Sequence, residues 1–225
     1  MSYLNPSYVL VISGGPMPEC IDAIKEYAAN ASAIYCADSG VDYARKAGVP
    51  ITKVYGDFDS ISKEGMDYIK SSGIPMEVFP CEKDMTDTEL VISSLDDNTD
   101  VVVFCSLKGR IDHVMANIMM CSSYSSRERR ILLTDGNAKV FYLKDNDSLD
   151  YVSSEKRVEV ITLLPLDFNE EVKGVTTKGL YYELNDASLK YGSSLGVSNR
   201  FVNPGTPSSV SINAGNMGVI VVPEE

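Results

Sequence analysis

Several residue types and motifs are scarce or absent in this sequence, and each absence excludes a class of site. The chain has no tryptophan and a single histidine, His113. A zinc site of the HExxH type is therefore excluded, and a Ser–His–Asp triad would have to use this one residue. The sequence contains no GxxxxGK[ST] loop and no GxGxxG turn after its first apolar run, which excludes a P-loop and the dinucleotide-binding fingerprint. No apolar run approaches the roughly 20 residues of a membrane-spanning helix.

Basic residues are also in the minority, with 20 Lys and Arg against 32 Asp and Glu and a net charge of −12. A nucleic-acid surface needs a basic stripe, so we expect no nucleic-acid partner and no membrane partner. An acidic protein that handles a polyphosphate needs divalent cations and a few well-placed Lys or Arg side chains. The five cysteines form no CxxC pair, and the N-terminus lacks the basic region of a signal peptide. We therefore expect a cytoplasmic protein with reduced thiols, mostly small core residues.

Short apolar runs alternate with helical patterns over the first two thirds of the chain. The predicted strands are 8–12, 33–36, 53–55, 76–79, 101–105, 131–133 and 139–143. The predicted helices are 19–30, 41–47, 63–72, 88–95 and 114–124. This alternation is typical of an α/β protein with a largely parallel sheet. We expect a Rossmann-like, three-layer α/β domain over residues 1–146.

After a polar turn at residues 144–148 the pattern changes to short β-like runs separated by Gly, Pro, Asn and Asp. These runs are 157–164, 171–177, 181–184, 199–203, 208–212 and 218–222. No amphipathic helix is predicted among them. We therefore expect a small all-β sandwich or barrel over residues 147–225.

The first candidate site follows the predicted strand 53–55, where Asp57 and Asp59 are two residues apart. In an extended segment such residues point the same way, so both carboxylates can reach one cation. Gly56 permits close backbone approach, and the carboxyl edge of a parallel sheet is where such folds bind ligands. An acidic turn that only caps a helix is the alternative interpretation.

A second cluster follows the predicted strand 76–79 and contains Lys83, Asp84, Thr86 and Asp87. Thr86 or Asp87 could simply cap the helix that follows. A helix N-terminus also favours phosphate, however, and Lys83 supplies the positive charge that an acidic protein needs there. Taken alone, this cluster leaves both interpretations open.

A third cluster, Arg110, Asp112 and His113, follows the most apolar predicted strand. Arginine makes forked contacts to phosphate oxygens, while His113 is either a general base or a structural hydrogen-bond partner. Asp38 lies in a fourth acidic turn at a strand end. Four such turns, with Lys83 and Arg110 among them, predict a magnesium-dependent enzyme that uses a nucleoside triphosphate.

Taken together, these clusters resemble the thiamine pyrophosphokinase family. The resemblance rests on GDFDS at 56–60, KDxTDxE at 83–89 and GRxDHxxAN at 109–117. It continues in family order through TKGLYY at 177–182 to GVSN at 196–199. GDFDS together with KDxTDxE is a fairly specific combination, and the later motifs are looser.

The resemblance implies transfer of the diphosphoryl group of ATP to the hydroxyl of thiamine, giving thiamine diphosphate and AMP. It also implies an N-terminal α/β domain, a C-terminal β domain and a homodimer with its active sites between subunits. The implied catalytic residues are Asp57, Asp59, Asp87, Arg110 and Asp112, of which the first three bind Mg²⁺. The implied nucleotide contacts are Asp38, Lys83, Asp84, Thr86, His113 and Asn137, and the implied thiamine contacts are Tyr182, Ser198 and Asn199. Tyr182 stands where the family often has a tryptophan.

Two other functions remain open. Residues 57–60 also resemble the DxDx[ST] loop of aspartyl-phosphate phosphohydrolases, in which Asp57 would be a nucleophile. That interpretation leaves the motif at 109–117 and the β region unexplained. The other alternative is a regulatory protein that binds nucleotide or thiamine without catalysis. Loss of a metal-binding carboxylate would indicate the regulatory role, and none of Asp57, Asp59 and Asp87 is lost.

Overall fold

The secondary structure alternates strands and helices up to residue 124 and consists of strands thereafter, in a computed structural model that describes residues 3–17 and 20–224. The elements in chain order are β1 Tyr8–Ile12, α1 Ile21–Ala28, β2 Ala31–Ala37, α2 Gly40–Ala47, β3 Lys53–Gly56, α3 Lys63–Ser72, β4 Met76–Val78, α4 Asp87–Ser93, β5 Val101–Phe104, α5 Ile111–Tyr124, β6 Ile131–Thr134, β7 Lys139–Leu143, β8 Asp147–Val152, β9 Glu159–Pro165, β10 Val172–Lys178, β11 Ala187–Leu189, β12 Asn199–Arg200, β13 Pro207–Ile212 and β14 Met217–Pro223.

The elements predicted for the first 146 residues are confirmed, with ends that differ by up to three residues. The predicted helix 19–30 is observed as the shorter α1, and Glu19 lies outside the described residues. The predicted helix 114–124 begins earlier, at Ile111, so Asp112 and His113 lie in the first turn of α5. The predicted helix 88–95 begins at Asp87 because the Thr86 side chain caps it, accepting a hydrogen bond from the Glu89 N–H at 3.2 Å.

A ten-stranded mixed sheet forms the centre of the molecule, in the order β12-β9-β14-β7-β6-β5-β1-β2-β3-β4. The strands from β6 to β4 in this order are parallel, and the other four pair antiparallel. From β1 the chain first builds the sheet outward through β2, β3 and β4, and then returns to the other side of β1 with β5. Ligands bind at such a reversal point, outside the carboxyl ends of the strands.

Helices cover both faces of the parallel part of this sheet. Ile24 of α1, Val41 of α2 and Ile69 of α3 are fully buried in one apolar cluster. On the opposite face, Val91 of α4 and Cys121 of α5 are fully buried in a second cluster. Burial of these apolar faces provides most of the favourable free energy of the fold. The expected α/β organisation is confirmed, with helices on both faces of the parallel strands.

The strands from residue 147 onward divide between two sheets. Three of them, β9, β12 and β14, continue the large sheet, because β14 pairs with β7 as well as with β9. The remaining strands form a second, antiparallel sheet in the order β11-β10-β13-β8. Its buried side chains share one apolar cluster with those of β9 and β14, so it packs on the same face as α1–α3.

Three details of the β region differ from the sequence prediction. Residues 181–184 form no strand, whereas β11 forms at Ala187–Leu189. Strand β8 begins at Asp147, inside the predicted polar turn. Its side chains alternate between buried and exposed, but the first inward residue, Asp147, is polar like the outward Ser148 and Asp150, which hides the strand from a search for apolar runs.

Two further expectations concern cysteines and membranes. Cys20, Cys36, Cys105 and Cys121 are buried free thiols, as expected, but Cys81 is exposed. Among the described residues, no helix combines the length and the apolarity that a bilayer crossing requires.

Candidate active site

A crevice of about 650 Å³ opens at the carboxyl ends of the parallel strands, where the strand order reverses between β1 and β5. The loops after β1, β2, β3, β4 and β5 contribute residues to the wall of this crevice. The lining residues include Ser13, Gly14, Gly15, Asp38, Ser39, Ser60, Thr86, Asp87, Thr88, Ser106, Lys108, Arg110, His113 and Asn117. The sheet therefore gathers the four predicted acidic turns, or residues next to them, around one space.

Two glycines allow the loops to approach one another closely. Gly56, at the end of β3, has φ +148°, and a Cβ there would lie 3.3 Å from both Cα and Cβ of Asp38. Gly40 packs against the end of β1, where a Cβ would lie 2.0 Å from the Ile12 carbonyl oxygen. A side chain at either position would push the strand-end loops apart.

Asp57 and Asp59 lie together with Cys81, and one ligand atom of each residue is within 4.8 Å of the others. The backbone N–H of Asp59 donates to Oδ1 of Asp57 at 3.2 Å, while Phe58 between them has φ +65°. A hydrogen bond from Cys81, with one from the Asp59 backbone, lowers the pKa of Asp57. The charge of Asp57 in turn raises the pKa of Asp59. Ionised Asp57 thus opposes the ionisation of Asp59, while hydrogen bonds favour the ionised form of Asp57.

Lys83 connects this pair to the start of α4. Its Nζ lies 3.0 Å from Oδ1 of Asp87 and 3.9 Å from Oδ2 of Asp57. Burial alone would lower the pKa of Lys83, but the hydrogen bond and charge of Asp87, with the charge of Asp57, raise it. The ammonium group is therefore held between two carboxylates. Asp87 is outside the close group of Asp57, Asp59 and Cys81, so its part in a metal site stays a prediction.

Asp38 carries an unpaired buried oxygen in the same crevice. Its Oδ2 accepts a hydrogen bond from the Ser60 hydroxyl, whereas its Oδ1 is buried and has no hydrogen-bond partner. Burial raises the pKa of Asp38, and the hydrogen bond from Ser60 opposes that shift. The residue also has φ +47°, an uncommon backbone conformation for a non-glycine residue. A buried carboxylate oxygen without a donor is costly unless a ligand or cation satisfies it.

Arg110 and Asp112 form a forked ion pair at the entrance to α5. Nε and Nη2 of Arg110 donate to the two carboxylate oxygens of Asp112 at 3.2 and 2.5 Å. The hydrogen bond from Arg110 lowers the pKa of Asp112. Both side chains are more than half exposed, so Asp112 can orient the guanidinium toward a ligand in the crevice. His113 lines the crevice beside them.

The remaining predicted nucleotide residues occupy different places. Thr86 lines the crevice, although its hydroxyl already caps α4. Asp84 is exposed and does not line the crevice. Asn137 lies in an adjoining cleft of about 130 Å³ that also borders on Lys108. Arg157 donates to both the side-chain and the backbone oxygen of Asn137 at 3.0 Å, a contact that the sequence did not indicate.

Sequence reasoning missed four other side chains that shape this region. The hydroxyl groups of Ser13 and Thr88 lie 2.7 Å apart across the crevice, and the Ser106 hydroxyl donates to the Lys108 carbonyl at 2.8 Å. Ser13 and Ser106 follow β1 and β5 closely, so the strand-end rule could have identified them. Cys81 gave no such signal, because its contact with Asp57 depends on the pairing of β3 with β4.

The predicted thiamine residues lie elsewhere on the chain. Tyr182 is exposed beside Tyr181, with ring centroids 4.8 Å apart. Asn199 is buried, and its side chain accepts from the Tyr182 N–H at 3.0 Å and donates to the Tyr182 carbonyl at 2.8 Å. Asn199 therefore holds the backbone of Tyr182 in place. Ser198 is exposed, has φ +56°, and donates its N–H to the hydroxyl of Thr162 at 3.0 Å.

Asp57 and Asp59 do not line the crevice themselves but lie next to Ser60, which does, and their oxygen donors fit a hard divalent cation. Asp57 and Asp59 offer carboxylate oxygens, which Mg²⁺ prefers. The repulsion that Asp57 exerts on Asp59 and the unpaired Oδ1 of Asp38 both indicate a need for positive charge beyond that of Lys83. A magnesium–nucleotide complex would bring that charge.

Comparison with known proteins gives one consistent result. The model of the thiamin pyrophosphokinase catalytic domain matches residues 24–133, and that of the thiamin pyrophosphokinase vitamin B1 binding domain matches residues 151–217. The thiamine pyrophosphokinase of Bacillus subtilis is 26% identical over 197 residues, which cover 86% of this chain and 89% of that protein.

Solved structures agree with the fold. The crystal structure of thiamine pyrophosphokinase from Bacillus subtilis has a TM-score of 0.82 at 23% identity, covering 97% of this chain and 99% of the other. That of thiamin pyrophosphokinase from Geobacillus thermodenitrificans has a TM-score of 0.78 at 21% identity, covering 96% and 98%. The two domain models match in order and together cover more than three quarters of the sequence. The chain belongs to the thiamin pyrophosphokinase family.

Proposed function

We propose that this protein makes thiamine diphosphate by transferring the diphosphoryl group of ATP to the hydroxyl oxygen of thiamine, with AMP as the second product. One observation carries the proposal: in a chain of this family, separate strand-end loops bring Asp57, Asp59, Lys83 and Asp87 together beside a crevice large enough for a nucleotide. In the reaction the thiamine oxygen bonds to the β-phosphorus and loses its proton to solvent, and the bond from that phosphorus to the α-phosphate oxygen breaks.

We assign each side chain of the site a role according to its position and charge. Asp57 and Asp59, with Asp87, would hold Mg²⁺, which when bound supplies positive charge to the polyphosphate. Lys83, which pairs with Asp87, and Arg110 would supply positive charge to the transferred group, and Asp112 would fix the direction of Arg110. No covalent intermediate is required, because alignment of the acceptor and neutralisation of charge lower the barrier in phosphoryl transfer.

Tyr182 and Asn199 provide the acceptor side of the proposed site. The exposed ring of Tyr182 offers a face on which the aromatic rings of thiamine stack. Asn199 keeps that ring in position through its two hydrogen bonds to the Tyr182 backbone. Ser198, next in sequence to Asn199, lies on the exposed side of this turn.

The distance between the two halves of the site supports a dimer. Strand β12, which carries Asn199, is six strand positions from β1 in the large sheet. At about 4.8 Å per position the separation is roughly 29 Å, too far for one thiamine molecule to contact both halves within one chain. We propose a homodimer in which the crevice of one subunit faces Tyr182 of the other.

On the sequence grounds given above, we propose that the enzyme is cytoplasmic.

The direct test is incubation of the purified protein with ATP, Mg²⁺ and thiamine, followed by chromatography of the nucleotides and thiamine esters. AMP and thiamine diphosphate should appear in equal amounts, and AMP should not appear in a control without thiamine. Formation of ADP would indicate a kinase that transfers a single phosphoryl group to thiamine. Release of inorganic phosphate would indicate a hydrolase. Binding of either substrate without turnover would favour the regulatory alternative.

A further inference from the structure

We propose that Cys81 completes, with Asp57 and Asp59, a binding site for a thiophilic divalent cation such as Zn²⁺ or Cd²⁺. The site uses the two carboxylates assigned above to Mg²⁺ and adds a sulfur ligand from a different loop. Its occupation would therefore compete with the magnesium-bound state.

The sheet brings the three ligands together. Gly56 pairs with Val78 in the parallel register of β3 and β4, and the Phe79 N–H donates to the Gly56 carbonyl at 2.9 Å. Asp57 follows Gly56 directly, and Cys81 follows Phe79 by two residues. The loops after both strands consequently leave the sheet side by side, and the ligand atoms of Asp57, Asp59 and Cys81 lie within 4.8 Å of one another.

Small side-chain rotations would close this group around a metal ion. Ligand atoms in a tetrahedral zinc site with bonds of about 2.0–2.3 Å are roughly 3.5 Å apart. The side chains of Asp59 and Cys81 are exposed, so they can rotate without disturbing the core. The fourth position stays open to water or to a phosphate oxygen.

The ligand chemistry favours a soft or borderline metal over Mg²⁺. Thiolate sulfur selects zinc and cadmium, whereas a site of carboxylates alone suits magnesium or calcium. The thiol binds as the thiolate and releases its proton to solvent. Two carboxylates and one thiolate then carry three negative charges, of which the divalent ion neutralises two, and Lys83, 3.9 Å from Asp57 but also paired with Asp87, offsets part of the third.

Cys81 is the cysteine able to act in this way. The other four, Cys20, Cys36, Cys105 and Cys121, are buried in the core. Among the described residues, Asp57, Asp59 and Cys81 form the one group of three His, Cys, Asp or Glu side chains with metal-ligand spacing. A sulfur-to-metal absorption band that appears when the metal binds is therefore assigned to Cys81.

The consequence for activity rests on the proposed function. A zinc or cadmium ion held by the sulfur would occupy the carboxylates that the magnesium–nucleotide complex needs, and the enzyme would lose turnover until the ion is removed by a chelator. The binding itself is independent of the reaction and can be measured without substrates.

The experiment is a Cd²⁺ titration of the purified protein, without nucleotide or thiamine, followed by the sulfur-to-cadmium charge-transfer absorption. The wild-type protein should bind one Cd²⁺ per chain with a charge-transfer band. Cys81→Ser should lose the band, and its affinity should fall about tenfold or more. Asp59→Asn should keep a weaker band at higher Cd²⁺ concentration. Glu82→Gln, which removes an exposed charge beside Cys81 but no ligand, serves as the matched control and should bind as wild type does.

Absence of the band in the wild-type protein, or its survival in Cys81→Ser, overturns the proposal. The AMP assay described above is scored separately. Normal AMP formation without cadmium binding defeats this inference alone, whereas cadmium binding without AMP formation defeats the proposed function alone.

Discussion

Individual carboxylates in the crevice carry charge that neighbouring residues neutralise only in part. Asp57 raises the pKa of Asp59, and burial raises the pKa of Asp38. Lys83 is shared between Asp57 and Asp87 and so does not fully neutralise the charges of Asp38 and Asp59. The resting protein thus keeps an unfavourable concentration of negative charge at this edge of the sheet. Such a concentration is retained where a bound cation offsets it.

The most direct residue-scale prediction concerns Asp59. Asp59→Ala should reduce kcat for thiamine diphosphate formation by about 10²-fold or more, because the site loses a carboxylate proposed to hold the Mg²⁺ that neutralises the polyphosphate. The melting temperature should change little, since the side chain is exposed and relief of the repulsion from Asp57 favours the folded state. Asp96→Asn, on an exposed turn away from the crevice, is the control. Near-normal kcat at saturating Mg²⁺ would remove Asp59 from the mechanism.

A second prediction concerns Tyr182. Tyr182→Ala should raise the KM for thiamine about tenfold or more and leave the KM for ATP nearly unchanged, because stacking on an aromatic ring contributes about 1–3 kcal/mol. Tyr182→Phe keeps the ring and should behave almost as wild type. Steady-state kinetics with each substrate varied in turn checks both variants. An equal rise in both KM values would show that Tyr182 acts on the fold and not on the acceptor.

The acidic residues of the site could be predicted from sequence, but several of their partners could not. Asp38, Asp57, Asp59 and Asp87 follow recognisable strands, and the carboxyl ends of parallel strands meet at one edge. Cys81 reaches Asp57 only through the register of β3 against β4. Asn199 lies 17 residues after Tyr182, with strand β11 between them, so no local sequence pattern predicts the support that it gives to Tyr182.

Among the elements, β8 is joined to the α/β part by a buried ion pair. Arg130 precedes β6 and Asp147 begins β8, and the guanidinium donates to both carboxylate oxygens of Asp147. The side chain of Asp147 is almost fully buried. The basic run at residues 127–130 is therefore partly structural, since Arg129 is also buried and donates to the Ile92 carbonyl at 2.5 Å.

This ion pair gives a prediction about stability. Arg130→Ala should lower the free energy of unfolding by about 3–5 kcal/mol, because it leaves the Asp147 carboxylate buried without its partner. Arg127→Ala, in the same basic run but exposed, should change it by less than about 0.5 kcal/mol. Urea denaturation followed by circular dichroism measures both. In the double variant Arg130→Met, Asp147→Leu, much of the lost stability should return, because neither charge remains. Failure of the single variant to destabilise would mean that water or neighbouring groups solvate Asp147.

At the scale of the whole molecule, one sheet passes through both parts of the chain. The sequence predicted two separate sheet systems divided at residue 147, because composition changes there. Strand β7 nevertheless pairs with β14, more than 70 residues later. Long-range pairing between strands of similar apolar character leaves no local signature, so topology was the part of the fold that sequence could not supply.

The proposed dimer predicts complementation between two impaired variants. Equal amounts of Asp59→Ala and Tyr182→Ala subunits, mixed under conditions that exchange subunits, should regain about one quarter of wild-type activity at low thiamine concentration. Half of the dimers are hybrids, and each hybrid has one site with an intact crevice facing an intact Tyr182. Each variant alone is the control. A mixture with no more activity than the average of its components would place both residues in the same subunit's site.

The two edges of strand β7 become paired at different times during synthesis of the chain. As the chain leaves the ribosome, β7 can pair with β6 at once, but its other edge remains open until β14 has been made. At ordinary translation rates of about 5–20 residues per second this interval is roughly 4–15 s. During it the nascent chain presents a hydrophobic strand edge that other chains can pair with. A chain that stops before residue 217 keeps this edge open permanently, so truncated products should accumulate as aggregates and in complexes with chaperones.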